Sequence, residues 1–523
     1  MLKQKRFSTL FFISLCALAL PLFSSSDKNG VDNDKEINIA SLTNKDPYPH
    51  QSEAFDPDNT YSLLSKDAIN GQIGVSQTGE CHKSALASKE TKKPWTFIVY
   101  MAADNDLYPF ADRNLEQMAS IGSNQNMNIL VHLDIKRRDY SPDKIHKKVT
   151  KHLFIKKNKI EQIGPDMCMD SGLAETLIGA VTWAVTDYPS EHLGIIFWNH
   201  GMGDLNLEGR IINPAELFFY NPNTNMIELD RSIGFIDYVM QDQSQRLMSN
   251  VCVRGVCFDE TTGNSLDDQK LCRALDAIVA LRGNKKIDII IFDACFMMGI
   301  GTGYICSKRA DFMTGSEEVE LGTGYDYNKV LSLPAAGDVS PRNLARHIVS
   351  VYEQVYNPIT RDYTHSAFDL ALYEPLNRKV NDLAAALANA LKSPGLTNQI
   401  YEIIRKSKSK AHCTHFDEPS YIDLRHFCIN VLKNIEDEKT KFKGKLETYP
   451  LVKAIKYAAR DCCDAIKDLV IGNVAGVNLA KAGGISVYFP EKRIHSSYPQ
   501  TEFAKQNYWL EFIHMYTNKH MIG

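Results

Sequence analysis

Short runs of apolar and β-branched residues recur along residues 94–335, and polar or turn-forming residues bound each run. Runs of this kind predict buried strands. We predict strands in the stretches WTFIVYM, MNILVHLD, HLGIIFWNHG, IDIIIFDAC and DFMTGSEE. The runs are apolar on both faces, which is typical of a parallel sheet that helices cover on both sides. The pattern therefore predicts the α/β class, with a mostly parallel sheet sandwiched by helices.

Amphipathic segments lie between these runs and predict helices. YPFADRNLEQMASIG and DDQKLCRALDAIVAL have apolar residues at helical spacing, and DSGLAETLIGAVTWAVTDYP has them after an Asp-Ser cap at 170–171. HKKVTKHLFIKKN alternates less clearly and suits a hairpin. We place the core at 94–335, with a long irregular insertion at about 203–256. The region at 336–523 is predicted to be mainly helical, with a late strand in GGISVYFP.

The N-terminal residues have the composition of an export signal followed by a polar connector. Lys3, Lys5 and Arg6 precede a short apolar run, and small residues follow it up to Ser26. We predict a signal peptide at 1–26, then a flexible linker or pro-segment at 27–93. Since the run is short for a membrane span, we expect an exported protein (periplasmic, secreted or at the cell surface) without a span after signal removal. A retained N-terminal anchor stays open.

Charge and cysteine content exclude some classes of function. The formal net charge is −4, so the chain lacks a strong basic field and we expect no nucleic-acid partner. Removing Cys16 with the signal leaves eleven of the twelve cysteines, and an odd number predicts at least one free thiol in an exported protein. The sequence has no Cys-x-x-Cys pair, and we expect no metal-ligating residues.

Two predicted strands end in residues that can perform covalent chemistry, His200 and Cys295. Ligand sites of parallel sheets lie at the carboxyl ends of the strands, so we expect both side chains at one edge. A thiol attacks a carbonyl only as thiolate, which His200 and a helix N-terminus after Cys295 would promote. The N–H groups of Gly201 and Cys295 would stabilise an oxyanion. The simpler interpretation is that Cys295 is a buried structural cysteine.

The two strand ends resemble the active-site segments of one enzyme family. FWNHGMGD and IIIFDACFMMG are similar to the His-Gly and Ala-Cys strand ends of the clostripain family of cysteine peptidases, relatives of gingipains, legumains and caspases. Further segments, from WTFIVYMAADNDL to GGISVYFP, follow the family's order over residues 95–512. The resemblance implies a caspase-like fold with Cys295 as nucleophile, His200 as general acid/base and Gly201 in the oxyanion hole.

The resemblance also implies a substrate class. Family members cleave proteins after Arg or Lys, and an acid at the position of Asp293 receives the cation. Ser316, Glu317 and Glu318 would line the next strand end, where one of the glutamates would bind the same cation. From the residues alone, capping of the following helix is an equally good role for Asp293. The expected partners are proteins or peptides with Arg or Lys at the cleaved bond.

Members of this family often mature by cutting themselves between the His and Cys strands. Here that segment is unusually long, and it contains five basic residues that are candidate processing sites: Arg210, Arg231, Arg246, Arg254 and Lys270. We expect a monomer or a nicked two-chain form. The chemistry requires no cofactor. Clostripain itself depends on calcium, which leaves calcium open, although DETTGNSLDD lacks the spacing of an EF-hand loop.

The sequence differs from the family in two places, and two other functions are compatible with it. The long insertion puts the shape of the substrate cleft in doubt, and Tyr325 stands where many relatives have Trp. A catalytically silent surface or interaction protein on the same fold would be expected to lose His200 or Cys295, and both are present. A thiol transpeptidase would use the same acyl-enzyme with another acceptor. We predict an exported cysteine endopeptidase that is made as a precursor.

Overall fold

The computed structural model describes residues 92–137, 147–208, 217–231, 252–441 and 449–522. The predicted signal peptide and nearly all of the segment predicted as a linker or pro-segment lie outside these residues. Within the described ranges, every helix is too short or too polar to cross a membrane.

The N-terminal half of the described chain alternates strands and helices. In chain order it forms β1 (Lys93–Ala103), α1 (Tyr108–Ile121), β2 (Met127–Ile135), β3 (Val149–Lys156), β4 (Lys159–Met167), α2 (Ala174–Asp187), β5 (Ser190–Trp198), β6 (Gly201–Glu208), β7 (Phe218–Asn221), β8 (Met226–Leu229), β9 (Cys252–Asp259), β10 (Asn264–Leu266), α3 (Asp268–Leu281), β11 (Ile287–Asp293), α4 (Ile300–Ser307) and β12 (Ala310–Gly315). β3 and β4 form an antiparallel hairpin, of which the stretch HKKVTKHLFIKKN contains the first strand and the turn.

The C-terminal half is mainly helical but also contributes strands. It forms α5 (Tyr327–Val330), α6 (Ser332–Ala336), α7 (Pro341–Tyr356), β13 (Thr364–Asp369), α8 (Tyr373–Lys392), α9 (Thr397–Lys408), β14 (Tyr421–Asp423), α10 (Leu424–Lys441), α11 (Pro450–Leu469), β15 (Val470–Ala475), β16 (Ser486–Tyr488), α12 (Glu502–Gln506) and α13 (Trp509–Ile522). The late strand in GGISVYFP is β16, which pairs with β14 outside the main sheet.

A nine-stranded sheet forms the centre of the fold, in the order β15-β13-β12-β11-β5-β1-β2-β3-β4. The neighbours from β12 to β2 are parallel, and those at both edges are antiparallel. Every residue of β2 and β11 is buried, which explains why these strands read as continuous apolar runs. The predicted mostly parallel α/β sheet is confirmed. β13 and β15 follow residue 335, so the sheet extends into the region predicted to be mainly helical.

Two local predictions are wrong. The stretch at about 203–256 is not irregular throughout, because β6 pairs with β9 and β7 with β8. The first of these pairings joins strands far apart in the chain, which a local pattern cannot reveal. α2 also lacks an Asp-Ser cap, since its N-cap residue is Leu173 and no side chain bonds there. Asp170 Oδ1 instead accepts the Gly172 N–H at 2.8 Å, a local turn that precedes the helix.

Candidate active site

The edge where β5 and β11 end brings the two predicted catalytic residues together. β5 and β11 are parallel neighbours, and Trp198 is the register partner of Asp293. His200 and Cys295 each come two residues after these partners, so both chains leave the sheet at the same level. The structure therefore places both residues at the carboxyl ends of neighbouring strands, and their catalytic roles stay predictions.

His200 and Cys295 line one narrow cleft at this edge. The cleft has a volume of about 300 Å³. The lining consists of Leu107, Trp198, Asn199, His200, Asp293, Ala294, Cys295, Glu320, Leu321, Gly322 and Gly324. The thiol, the imidazole and the carboxyl groups of Asp293 and Glu320 therefore border one space.

Cys295 is buried, with 4% of its surface exposed. The N–H of Glu320 donates a hydrogen bond to its Sγ at 3.2 Å. Burial is the main cause that raises the pKa of the Cys295 thiol; the Glu320 N–H opposes it, and the carboxylates of Glu320, Glu318 and Asp417 add to it. The thiol is therefore protonated in the empty cleft and needs a base to react.

The prediction that a helix N-terminus next to Cys295 would stabilise its thiolate is wrong. α4 begins only at Ile300, with Gly299 as its N-cap, and the effect of a helix dipole falls off within the first turn. A tight turn presents the thiol instead. Phe296 has a φ of 60°, and its N–H donates to the Glu318 carbonyl oxygen at 3.2 Å. The segment after β12 therefore holds the nucleophile in place.

Asp106 contacts His200, and the sequence analysis did not identify it. Its Oδ1 lies 2.6 Å from His200 Nε2, a distance typical of a charge-assisted hydrogen bond. Asp106 lies in the turn after β1, the strand next to β5. Asn105 fixes this turn by donating to the carbonyl oxygens of Ala102 and Phe258. The available signal was the acidic DND that follows β1 at the same edge of the sheet.

Gly201 packs its backbone against the nucleophile. A Cβ atom at this position would lie 2.2 Å from the Cys295 carbonyl oxygen and 2.9 Å from Met297 Cγ, so only glycine fits. The backbone at this position is therefore next to Cys295, where an oxyanion hole needs it. The roles of the Gly201 and Cys295 N–H groups stay predictions.

Asp293 lines the cleft and caps no helix, since Gly299 is the N-cap of α4. Its Oδ2 accepts hydrogen bonds from the Tyr327 hydroxyl at 2.8 Å and the Tyr325 N–H at 3.3 Å. Gly324, with a φ of 57°, passes so close that a Cβ there would lie 2.7 Å from Asp293 Oδ1. Burial raises the pKa of Asp293 to about 7, and the Tyr327 hydrogen bond opposes that rise.

Glu320 is a second carboxylate in the cleft that the sequence analysis overlooked. It is 4% exposed, and neither carboxylate oxygen has a hydrogen-bond partner among the described residues. The nearest basic group is Nδ1 of His365 at 3.6 Å, but burial lowers the pKa of that ring to about 3, so it is neutral. Burial raises the pKa of Glu320 well above its ordinary value, and the charge of Asp293 adds to the rise. Two buried acids without a cation suit a positively charged ligand.

Ser316, Glu317 and Glu318 follow β12 as predicted, but the structure does not bring them into the lining of this cleft. All three are buried. The Ser316 hydroxyl lies 3.0 Å from that of Thr364, and Glu317 Oε2 accepts the Gly484 N–H at 3.1 Å. Glu318 is engaged in an ion pair described below. Their roles in substrate binding stay predictions without a contact in this cleft to support them.

A second acidic cluster lies behind the turn that contains Asp106. Lys148 Nζ is 3.6 Å from Asp104 Oδ2 and 3.0 Å from Asp134 Oδ2, and it also pairs with Asp259. All four side chains are at most 5% exposed. Burial alone would lower the pKa of Lys148, but the carboxylates of Asp134 and Asp259 outweigh it and raise the pKa. This lysine therefore supplies the cation that the three buried acids require.

The described residues give no support for a disulfide or a metal centre in the site. Nine cysteines in these ranges, including Cys295, are free thiols. Within the same ranges, no group of three or more His, Cys, Asp or Glu side chains is arranged to hold a metal ion. In the stretch considered for calcium, Asp259 accepts the N–H groups of Ser171 and Thr262. A calcium requirement stays untested.

Comparison with known proteins assigns the chain to a family. The sequence model of the clostripain family matches residues 99–227 and 240–516, which is most of the chain. The chain therefore belongs to the clostripain family and has the fold of its cysteine proteases. No curated protein matches the chain.

Several solved structures that match the chain are C11 cysteine proteases. A secreted C11 cysteine protease from Bacteroides thetaiotaomicron, in complex with an irreversible peptide inhibitor, is 20% identical with a TM-score of 0.48, and the match covers 78% of this chain and 97% of that one. An inactive zymogen C11 protease from Parabacteroides distasonis is 16% identical with a TM-score of 0.46, covering 81% and 99%. The Bacteroides thetaiotaomicron protease iotapain is 13% identical with a TM-score of 0.49, covering 79% and 99%.

Proposed function

We propose that this chain is a cysteine endopeptidase that cleaves proteins after Arg, or after Lys, with Cys295 as nucleophile and His200 as general acid/base. The observation that supports the proposal is the shared cleft, in which the thiol and the imidazole lie beside the buried carboxylates of Asp293 and Glu320. The thiol and imidazole suit acyl transfer, and the two acids suit a cationic side chain beside the cleaved bond.

In this mechanism His200 takes the proton of the Cys295 thiol. Asp106 accepts a hydrogen bond from Nε2–H, which leaves Nδ1 as the basic nitrogen, and so acts as a positioning residue. The thiolate attacks the carbonyl carbon of the substrate's arginine, an Sγ–C bond forms, and the carbonyl oxygen takes up the negative charge. The N–H groups of Gly201 and Cys295 stabilise that oxyanion.

The remaining steps return the enzyme to its starting state. The imidazolium of His200 gives its proton to the leaving amine as the C–N bond breaks, and a thioester on Cys295 remains. Water, deprotonated by His200, attacks the thioester; the Sγ–C bond breaks and the thiolate takes the proton back. One peptide bond and one water become a carboxylic acid and an amine, and no cofactor takes part.

The two carboxylates of the cleft set the preference for a cation. An entering guanidinium would pair with Asp293 and Glu320 and favour the ionised form of both acids. Arginine offers five N–H donors in a planar fork, so it can bond to both carboxylates at once, whereas lysine offers a single ammonium. We therefore expect cleavage after Arg to exceed cleavage after Lys.

A substrate side chain that pairs with Asp293 has to enter this cleft. Its lining includes Glu320, Leu321, Gly322 and Gly324, from a stretch that also contacts Asp293 and the thiol. We propose that this stretch moves when a substrate side chain enters.

We also propose self-cleavage between the His and Cys strands. Of the five candidate residues, three lie in the described ranges and are engaged in the fold: Arg231 in ion pairs, Arg254 in β9, and Lys270 in hydrogen bonds to two backbone carbonyls. Arg210 and Arg246 lie outside these ranges. We expect cuts after Arg210 or Arg246, and sequencing of the new chain ends tests this choice.

We propose an exported location on the composition of residues 1–26. The test is cell fractionation with N-terminal sequencing of the mature chain. Export predicts a new N-terminus near residue 27 and recovery outside the cytoplasm, whereas a cytoplasmic chain that begins at Met1 would contradict it.

The activity is tested with paired fluorogenic peptides that end in Arg, Lys, Asp or Leu, with Cys295→Ala as the control. Reactions run with added calcium and with a chelator, and an added amine acceptor distinguishes hydrolysis from transfer. We expect Arg cleavage that disappears in the variant, together with self-nicking on a gel. No cleavage of any peptide under any of these conditions would refute the protease proposal and favour a non-catalytic interaction protein.

The role of Asp106 is tested by Asp106→Asn. Because an amide cannot hold the imidazolium as a carboxylate does, we expect kcat/KM to fall by about a hundredfold and the acidic limb of its pH profile to move. Asp112→Asn is the matched control, since Asp112 is half exposed and pairs with Arg137 on the surface. An unchanged pH profile in Asp106→Asn would contradict the positioning role.

A further inference from the structure

Arg231, from the long insertion, places its guanidinium on two buried acids near the nucleophile. Its Nη2 is 3.1 Å from Glu318 Oε2 and 2.9 Å from Asp362 Oδ1. The arginine side chain is 38% exposed, while Glu318 is 0% and Asp362 2% exposed. An arginine that reaches from the surface onto two buried carboxylates compensates charge that the protein interior could not otherwise hold.

The hairpin that delivers Arg231 is docked on the fold. The Ile227 N–H donates to the Ile359 carbonyl oxygen at 2.9 Å, and the Leu229 N–H donates to Asp362 Oδ2 at 3.2 Å. Ile227 and Leu229 are buried. The insertion therefore brings the guanidinium to a fixed place.

Glu318, the acid that receives Arg231, belongs to the segment that holds the nucleophile. Its carbonyl oxygen accepts the Phe296 N–H at 3.2 Å, directly after Cys295 in the chain. Two residues further on, the Glu320 N–H donates to Cys295 Sγ at 3.2 Å. A change at Glu318 therefore acts on Cys295 from behind, through contacts already in place.

Several acids surround the thiol, and one of them is paired with Arg231. Glu320 and Glu318 from the segment after β12, Asp417 from the connection between α9 and β14, and Asp293 from the end of β11 all lie near Cys295. His200 faces it from the end of β5. Each ionised acid disfavours the thiolate, because like charges repel in a water-poor site. Arg231 acts on one of these acids, Glu318.

We propose that Arg231 is a positioning residue of the catalytic site, which neutralises Glu318 behind Cys295 so that the thiol can transfer its proton to His200. The inference rests on the proposed protease function. It means that activity depends on the inserted hairpin staying docked, including after the chain has been nicked.

The test measures Cys295 itself rather than peptide cleavage. The rate at which iodoacetamide alkylates Cys295 is followed against pH by mass spectrometry of its peptide, in Arg231→Gln, Arg231→Lys and Arg231→Gln/Glu318→Gln. Arg273→Gln is the matched control, because Arg273 pairs with Glu175 on the surface at 2.7 Å. Thermal melting checks that every variant folds.

We expect Arg231→Gln to move the midpoint of Cys295 alkylation upward by roughly half to one pH unit, with kcat/KM at neutral pH about three- to tenfold lower. Arg231→Lys should recover part of the loss. Removing the charge of Glu318 in the double variant should restore the midpoint, although the hairpin contact stays lost.

Two results would overturn the proposal. One is a midpoint in Arg231→Gln equal to that of Arg273→Gln; the other is a double variant no better than Arg231→Gln, which would mean that Arg231 only pins the hairpin. Failure of the protease function is a separate outcome, because the alkylation profile of Cys295 can be measured in a protein that cleaves no peptide.

Discussion

Two pairs of buried acids lie close to the nucleophile and differ in their cations. Glu318 and Asp362 share the guanidinium of Arg231. Asp293 and Glu320, in the cleft, meet no lysine or arginine side chain within the described residues, and Glu320 faces only the neutral ring of His365. Within the described residues, the chain supplies a cation to Glu318 and Asp362 but none to Asp293 and Glu320.

We propose that this difference distinguishes acids that the chain neutralises itself from acids that bind a substrate cation. A buried carboxylate without a counter-charge is costly, so a fold keeps one only where something else compensates it. The pair with Arg231 has its counter-charge within the chain and therefore offers no place to a substrate cation. The cleft pair lies beside Cys295 and His200 and lacks a cation, which is the arrangement that a substrate arginine would complete.

The largest effect is expected at another group of buried acids that has its own cation, the three acids around Lys148. In Lys148→Met three buried carboxylates lose their cation, so we expect the free energy of unfolding to fall by about 3–5 kcal/mol in urea denaturation. Lys467→Met is the control, because Lys467 pairs with Asp464 on the surface, and a change within about 0.5 kcal/mol is expected. Equal free energies of unfolding for the two variants would show that the cation of Lys148 does not stabilise the fold.

The next largest effect is expected at Asp293 and Glu320, the pair of acids without a cation. Asp293→Asn or Glu320→Gln should reduce the ratio of kcat/KM for an Arg substrate over its neutral isostere citrulline by about a hundredfold. Glu318→Gln should leave that ratio near the wild-type value, because Glu318 lies outside the lining of the cleft. A similar fall of the Arg-to-citrulline ratio in all three variants would contradict the claim that only Asp293 and Glu320 bind the substrate cation.

The smallest expected effect is the release of protons from the cleft when an Arg ligand binds. Burial raises the pKa of Asp293 to about 7 and that of Glu320 well above its ordinary value, so the empty cleft holds protons at pH 7. A bound guanidinium favours the ionised acids and lowers both pKa values, so Arg ligands should release about one proton. Calorimetry on Cys295→Ala in two buffers of different ionisation enthalpy measures this. Proton uptake, or no exchange, would count against the cleft as the cation site.

The sequence was sufficient for the parts of the site that depend on strand ends. Continuous apolar runs identified β5 and β11, and their parallel register put His200 and Cys295 at one edge. The resemblance to the clostripain family pointed to Asp293, and the structure places this residue in the lining of the cleft. The helix expected after Cys295 begins too late because a tight turn at Phe296 comes first, and the MMG that follows gives no local sign of that turn.

The contacts that escaped prediction join residues far apart in the chain. Asp106 reaches His200 only because the turn after β1 folds over the end of β5. Glu320 enters the cleft two residues beyond the glutamates that the sequence favoured. Arg231 and Glu318 are separated by 87 positions and meet only when the insertion docks. β13 and β15 were missed as well, since their short runs mix polar with apolar residues between strong helical patterns.

The most direct test of the account is covalent capture of the nucleophile. The wild-type protein is treated with a peptide chloromethyl ketone that ends in Arg, and with its citrulline counterpart, and the adduct is located by peptide mass spectrometry. The account predicts one adduct on Cys295, formed at least about tenfold faster with Arg and lost in His200→Ala. An adduct on another cysteine, equal rates for the two probes, or no adduct at all would contradict it.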